Sequence, residues 1–149
     1  MKPRVNRLLI VAGAALFCAA VLSMHAQEAA KRAVLRAASE LKWVDAPNAT
    51  GVQQAVAWGN AQKGAHGSFA KFAGGTEVPL HTHTASGRSV VISGTMVEGV
   101  EGQKPKELGA GSYFYLPGGV KHTTTCKAGA DCVIYSDWSG PFDLTPATP

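Results

Sequence analysis

The stretch "PLHTHTASGRSVVISG", residues 79–94, decides how the rest of the chain reads. His81 and His83 stand one residue apart just after a proline, and a valine-rich run follows and closes on Gly94. Successive side chains of a strand point to opposite faces, so the two histidines share a face and Leu80, Thr82 and Thr84 take the other. At ordinary strand rise the two histidine Cα atoms lie about 6.6 Å apart. Two neutral imidazoles placed this way can converge on one metal ion. Taken alone, the pattern also fits two surface histidines on an edge strand.

Working outward, strand-like runs alternate with glycine turns on both sides of this stretch. "VQQAVAW", "GSFAKFAGG", "RSVVISGTMVEG", "GSYFYLPGG", "VKHTTTC" and "CVIYSDW" recur at the spacing of a β-sandwich or barrel. The 149 residues suffice for one domain with one core; 46% are hydrophobic and 16% charged, so most of the chain should fold. Before the strands, residues 27–42 are Ala-rich, with Ala33, Val34, Ala37, Ala38 and Leu41 on one helical stripe. The expected organisation is a helix and linker over 27–48 and an all-β domain over 49–149. The closing "PFDLTPATP" reads as a proline-punctuated tail.

Residues 1–26 stand apart. A short basic leader carrying Lys2, Arg4 and Arg7 precedes an apolar run of 16 residues, and Ala26 offers a small residue at a cut before Gln27. The run is short for a membrane span and the right size for a signal-peptide core. The expectation is therefore a periplasmic or secreted protein with no stable membrane anchor after cleavage. The whole chain carries +4, of which the leader supplies +3 and no acids, leaving 4 − 3 = +1 for the mature part. No basic patch remains to argue for nucleic acid. Export also favours pairing of the two remaining cysteines, Cys126 and Cys132, across the "KAGAD" turn as a hairpin disulfide. A metal-binding pair is the alternative, although the spacing is not of the short C-x-x-C type.

Two stretches together carry a family resemblance. "GTEVPLHTHTASGRSVVISG", from Gly75 to Gly94, and "GSYFYLPGGVKHTTTC", from Gly111, with Pro117, Gly119 and His122, resemble the paired motifs of the cupin superfamily. The wider pattern, "LKWVDAP", "HTHTASGRSVVISGTMVEG" and "YSDWSGPFDLTP", resembles a subgroup of exported bacterial cupins of unknown function. The resemblance implies a small jelly-roll barrel in which His122 arrives beside His81 and His83. It also implies a divalent metal, Fe(II), Mn, Ni, Cu or Zn, since imidazoles suit each to some degree. Two departures matter. The motif glutamate falls at Gly87, and the motif asparagine is Cys126. Three readings follow: a three-histidine centre completed by water; a substitute acid, for which Glu77 shares parity with His81; or a barrel that has lost its metal.

Function is expected in one of two classes. One is a metal-dependent oxygenase acting on a small molecule, by resemblance to three-histidine dioxygenases among cupins. The other is a non-catalytic pocket that binds or senses a metal or small ligand. The family resemblance also implies a homodimer. Trp43, Trp58 and Trp138 read as core or rim aromatics. Of Tyr113, Phe114 and Tyr115, either the tyrosines or the phenylalanine line the barrel. His66 lies outside both motifs and reads as exposed.

Overall fold

The computed structural model describes residues 33–149. Strands dominate it because the chain alternates β-branched and polar residues between glycine turns. In chain order they are β1 (Val44–Asp45), β2 (Val52–Gly59), β3 (His66–Phe72), β4 (Glu77–Thr82), β5 (Gly87–Ser93), β6 (Thr95–Val100), β7 (Lys106–Gly109), β8 (Tyr113–Leu116), β9 (His122–Cys126), β10 (Cys132–Trp138) and β11 (Thr145–Pro146). They form two antiparallel sheets in the orders β1-β2-β3-β10-β5-β8 and β11-β4-β9-β6-β7. This is the expected jelly roll, but its hydrogen bonding does not run around a closed barrel. The chain leaves one sheet and enters the other at Gly94, whose φ of 76° is one that L side chains rarely adopt.

Between the sheets lies an apolar core that includes Val52, Phe72, Val78, Val91, Met96, Leu108 and Ile134. Ala46 belongs to it, and β1 pairs with β2, so the sheet begins within the stretch read as a linker. The expected helix is not formed where it is described. Residues 33–37 carry no helix, and a single 3-10 turn, Ala38–Glu40, is all that remains; residues 27–32 lie outside the described part. Alanine propensity alone rarely sustains so short a helix without a packed face. Arg36 instead donates to the carbonyls of Val56 and Ala57, at 3.0 and 2.9 Å. Among the described residues no helix is long and apolar enough to cross a membrane. On β8 the register question resolves in favour of Phe114, which packs on the core while Tyr113 and Tyr115 are exposed.

Cys126 and Cys132 are joined as a disulfide, and both are fully buried. They do not face each other across a hairpin. Cys126 ends β9 in one sheet and Cys132 opens β10 in the other, so the bridge ties the two sheets together. The sequence separation is 6, and a loop that short corresponds to roughly 2 kcal/mol of denatured-state entropy. Urea unfolding with and without reductant should show a loss of about that size. Two alkylatable thiols in freshly isolated protein, with no change on reduction, would contradict the bridge.

Candidate metal centre

Histidines 81 and 122 meet because β4 and β9 pair them directly. The register is not uniform: from Val78↔Thr124 to His81↔His122, β4 advances 81 − 78 = 3 residues and β9 only 124 − 122 = 2. The extra residue is a bulge at Pro79–Leu80, where Pro79 has no amide hydrogen to give a ladder. It turns both Val78 and His81 inward. Glu77, which alternates with Val78, is thereby left exposed on the outer face, so the acid suggested by parity with His81 does not join the histidines.

His83 follows two residues later on the same side as His81, just past the end of β4. Its carbonyl accepts from the amide of Gly119 at 2.8 Å, which seats the Pro117–Gly119 turn against it. Gly118 is required for that approach, since a Cβ there would stand 2.3 Å from the carbonyl oxygen of Thr84. The ring centroids of His81 and His122 are 4.1 Å apart, those of His81 and His83 4.9 Å, and those of His83 and His122 5.2 Å. One ring nitrogen of each lies within 4.8 Å of the others.

The three rings are oriented by backbone. Nδ1 of His81 bonds the carbonyl of Pro79 at 2.7 Å, Nδ1 of His122 that of Val120 at 2.9 Å, and Nδ1 of His83 that of Asp143. A carbonyl oxygen only accepts, so each Nδ1 carries the hydrogen and each Nε2 keeps its lone pair. Carbonyl support of this kind is how proteins fix the tautomer of a ligating histidine. All three rings are buried, and burial is the main force holding their pKa values below the ordinary 6.5, that of His122 at about 4. They are therefore neutral near pH 7, as ligation needs.

The tail does more than its composition suggested. β11 pairs with β4, setting Thr145 opposite Thr82 and Pro146 opposite His81. Just before it, Asp143 grips the strand end: its carboxylate accepts from the Thr84 amide at 2.8 Å and the Thr84 hydroxyl at 2.5 Å. Burial opposes its charge, but those bonds outweigh burial and hold the carboxyl below its usual range. Phe142 and Trp138 pack on the His83 ring, at 5.2 and 4.8 Å between centroids. Trp138 also explains the missing acid, because a Cβ at Gly87 would already lie 3.0 Å from the indole ring. The space where the motif glutamate would stand is occupied by tryptophan.

The histidines open on a largely apolar chamber between the sheets, with a volume of about 60 Å³. Glu98 of β6 lines it, and sequence reasoning passed it over. The available signal was an acid two residues from Met96 on an inward-facing stripe. His66, expected at the surface, is fully buried instead; its Nδ1 approaches the carbonyls of Gly64 and Gly140, both at 3.1 Å, and its ring stacks on Trp138. It stands outside the chamber wall.

The sequence profile of the ChrR cupin-like domain matches residues 31–140. No curated protein matches the chain. Among solved structures, the polyketide cyclase RemF from Streptomyces resistomycificus is similar with a TM-score of 0.66 at 15% identity, covering 79% of this chain and 87% of that one. An RmlC-like cupin from Shewanella frigidimarina is similar with a TM-score of 0.58 at 23% identity, covering 72% and 92%. A chain from the complex of Rhodobacter sphaeroides SigE with the anti-sigma ChrR gives 0.55 at 22% identity, covering 70% and 51%. At such identities the neighbours speak for the jelly-roll fold alone. The profile match spans well over half of the chain and agrees with the paired strands that carry the histidines, so the chain belongs to the ChrR cupin-like domain family.

Proposed function

We propose that this is an exported cupin whose His81, His83 and His122 hold one divalent metal ion through Nε2, with a small molecule bound beside it. The observation that carries the reading is the spending of all three Nδ1 atoms on backbone carbonyls, which leaves three neutral Nε2 donors on one buried cluster. Three imidazoles with open positions are a donor set that Fe(II), Mn, Ni, Cu and Zn can all use. When bound, such an ion supplies a Lewis-acid point that polarises and orients an oxygen-bearing molecule. The chain's own part is to fix the rings, exclude bulk water with Phe142, Trp138 and Leu144, and confine the ligand.

Structural neighbours described as a polyketide cyclase and an oxalate oxidase are compatible with a small-molecule chamber in this fold. The oxygenase reading rests on the three-histidine donor set, which with Fe(II) would leave positions open for O2 and a chelating substrate. The similarity to the anti-sigma ChrR favours a second reading, a sensor without turnover. Turnover that disappears when the metal is stripped separates the two. The leader and the Cys126–Cys132 bridge support a periplasmic or secreted location, since disulfides persist in oxidising compartments.

Calorimetric titration of metal-stripped protein with Fe(II), Mn, Ni, Cu and Zn is expected to show one site. His81→Ala, His83→Ala and His122→Ala should each lose most of the affinity, because two remaining ligands hold a divalent ion poorly against water. No binding by wild type, or binding unchanged in all three variants, would contradict the centre. Glu77→Ala should bind as wild type does.

The pH dependence follows from the lowered histidine values. Protons compete with metal only once the folded protein's own imidazoles protonate. Affinity should thus hold through the ordinary histidine value of 6.5 and fall only below it, as the first of the three depressed imidazoles takes up a proton. His122 itself is held down to about 4. A midpoint at 6.5 in the titration would mean that burial does not keep the rings neutral.

A further inference from the structure

Glu98 is a chamber group that the metal centre does not use. β6 and β9 pair Glu98 with Thr124 and Val100 with His122, so Glu98 stands one diagonal step from His122 on the inward face. It is 5% exposed, and it is the only carboxyl lining the chamber among the described residues; no Lys or Arg lines it. Thr124 Oγ1 donates to its Oε2 at 2.9 Å, while Oε1 is buried without a partner. Native interiors leave few buried polar atoms unpaired, because each forfeits its hydration for nothing. Burial pushes this carboxyl up to about 8 in the metal-free chamber. With Oε2 accepting from Thr124, Oε1 is the atom left to meet a ligand: it donates when protonated, and it accepts from a ligand hydroxyl when the charge of a bound ion has drawn the proton off.

We propose that Glu98 is a ligand-recognition residue: its Oε1 hydrogen-bonds an oxygen of a small 2-hydroxy or 2-oxo carboxylate whose other oxygens take the open positions of the metal held by His81, His83 and His122. The proposal rests on the three-histidine reading above. Three neutral imidazoles leave the ion's double charge uncompensated, which selects an anion over a neutral ligand. A cavity of about 60 Å³ admits roughly four to six water-sized groups, since one water needs roughly 10–15 Å³ on the same scale. On the opposite wall, Ser68, Ser136 and Ser89 align in register across three strands, with Ser89 and Ser136 hydroxyls 2.7 Å apart, and give further partners for ligand oxygens.

The test uses the mature protein loaded with Co(II), lactate as probe and propanoate as the control that lacks the second oxygen. Metal uptake is measured first, and ligand binding then follows from the visible spectrum of the Co(II) centre. Wild type, Glu98→Gln and Glu98→Leu should take up Co(II) alike. Lactate should bind wild type at least about tenfold more tightly than propanoate does. Glu98→Gln, whose amide can still donate or accept at that point, should stay within about threefold of wild type, and Glu98→Leu should lose about tenfold or more. Near-UV circular dichroism checks folding, and Glu98→Met replaces the leucine variant if that one does not fold. The proposal is overturned if wild type ignores lactate, if the apolar variants bind it as well as wild type, or if Glu98→Gln is as weak as they are. It is also overturned if the apolar variants lose Co(II) as His81→Ala does, which would make Glu98 a metal ligand. Wild type that takes up no Co(II) contradicts the three-histidine centre and this proposal with it, whereas normal uptake with no effect of Glu98 contradicts this proposal alone.

Discussion

Opposite one another on β4 and β9, His81 and His122 form the cross-strand pair on which the chamber depends. That register follows from one extra residue in β4, placed where Pro79 could not have joined the ladder in any case. A uniform register would send Val78 and His81 to opposite faces, one to the core and one to solvent. With the bulge, Val78 closes the core and His81 opens the chamber on the same side of one sheet. The carbonyl of Pro79 then bonds the His81 ring, so the same irregularity places the side chain and fixes its tautomer.

The charge of the chamber follows from which acids are absent and which is present. Trp138 fills the space beside Gly87 where a motif glutamate would stand, so no carboxylate sits among the imidazoles. The rings are neutral because burial penalises their protonated forms. Glu98, on the neighbouring strand, faces the same penalty with the opposite consequence: burial favours its protonated form. A bound divalent ion would therefore meet three neutral donors, its double charge left for groups beyond the imidazoles to offset. Trp138, which displaces the acid, also packs on His83 beside Phe142, and both aromatics form part of the chamber wall.

Much of this was legible in the chain because its signals are local. Strand alternation puts His81 and His83 on one face, and the Pro117–Gly119 turn announces His122. The cysteine pairing was legible too, but not its geometry: a short spacing suggests a hairpin, whereas Cys126 and Cys132 end up in different sheets. Glu77 misled because counting by twos fails across a bulge, and a bulge is visible only once a partner strand is known. Asp143 and Phe142 were illegible for the reason that applies to any distant contact: their partners lie some sixty residues away. His66 was misread as exposed because a glycine-flanked histidine looks like a loop residue, while β3 begins at it and Trp138 covers it.

The central claim is that three Nε2 atoms, and no protein carboxylate, hold a metal in this chamber. X-ray absorption at the zinc edge of the zinc-loaded protein, joined to an anomalous difference map from its crystals, tests it most directly. The account predicts one ion bonded to Nε2 of His81, His83 and His122 at about 2.0–2.1 Å, with remaining positions filled by non-protein oxygen. An ion bound through an Nδ1 atom, a carboxylate oxygen of Glu98 or Glu77 within bonding distance, or no ion at the histidines would contradict it.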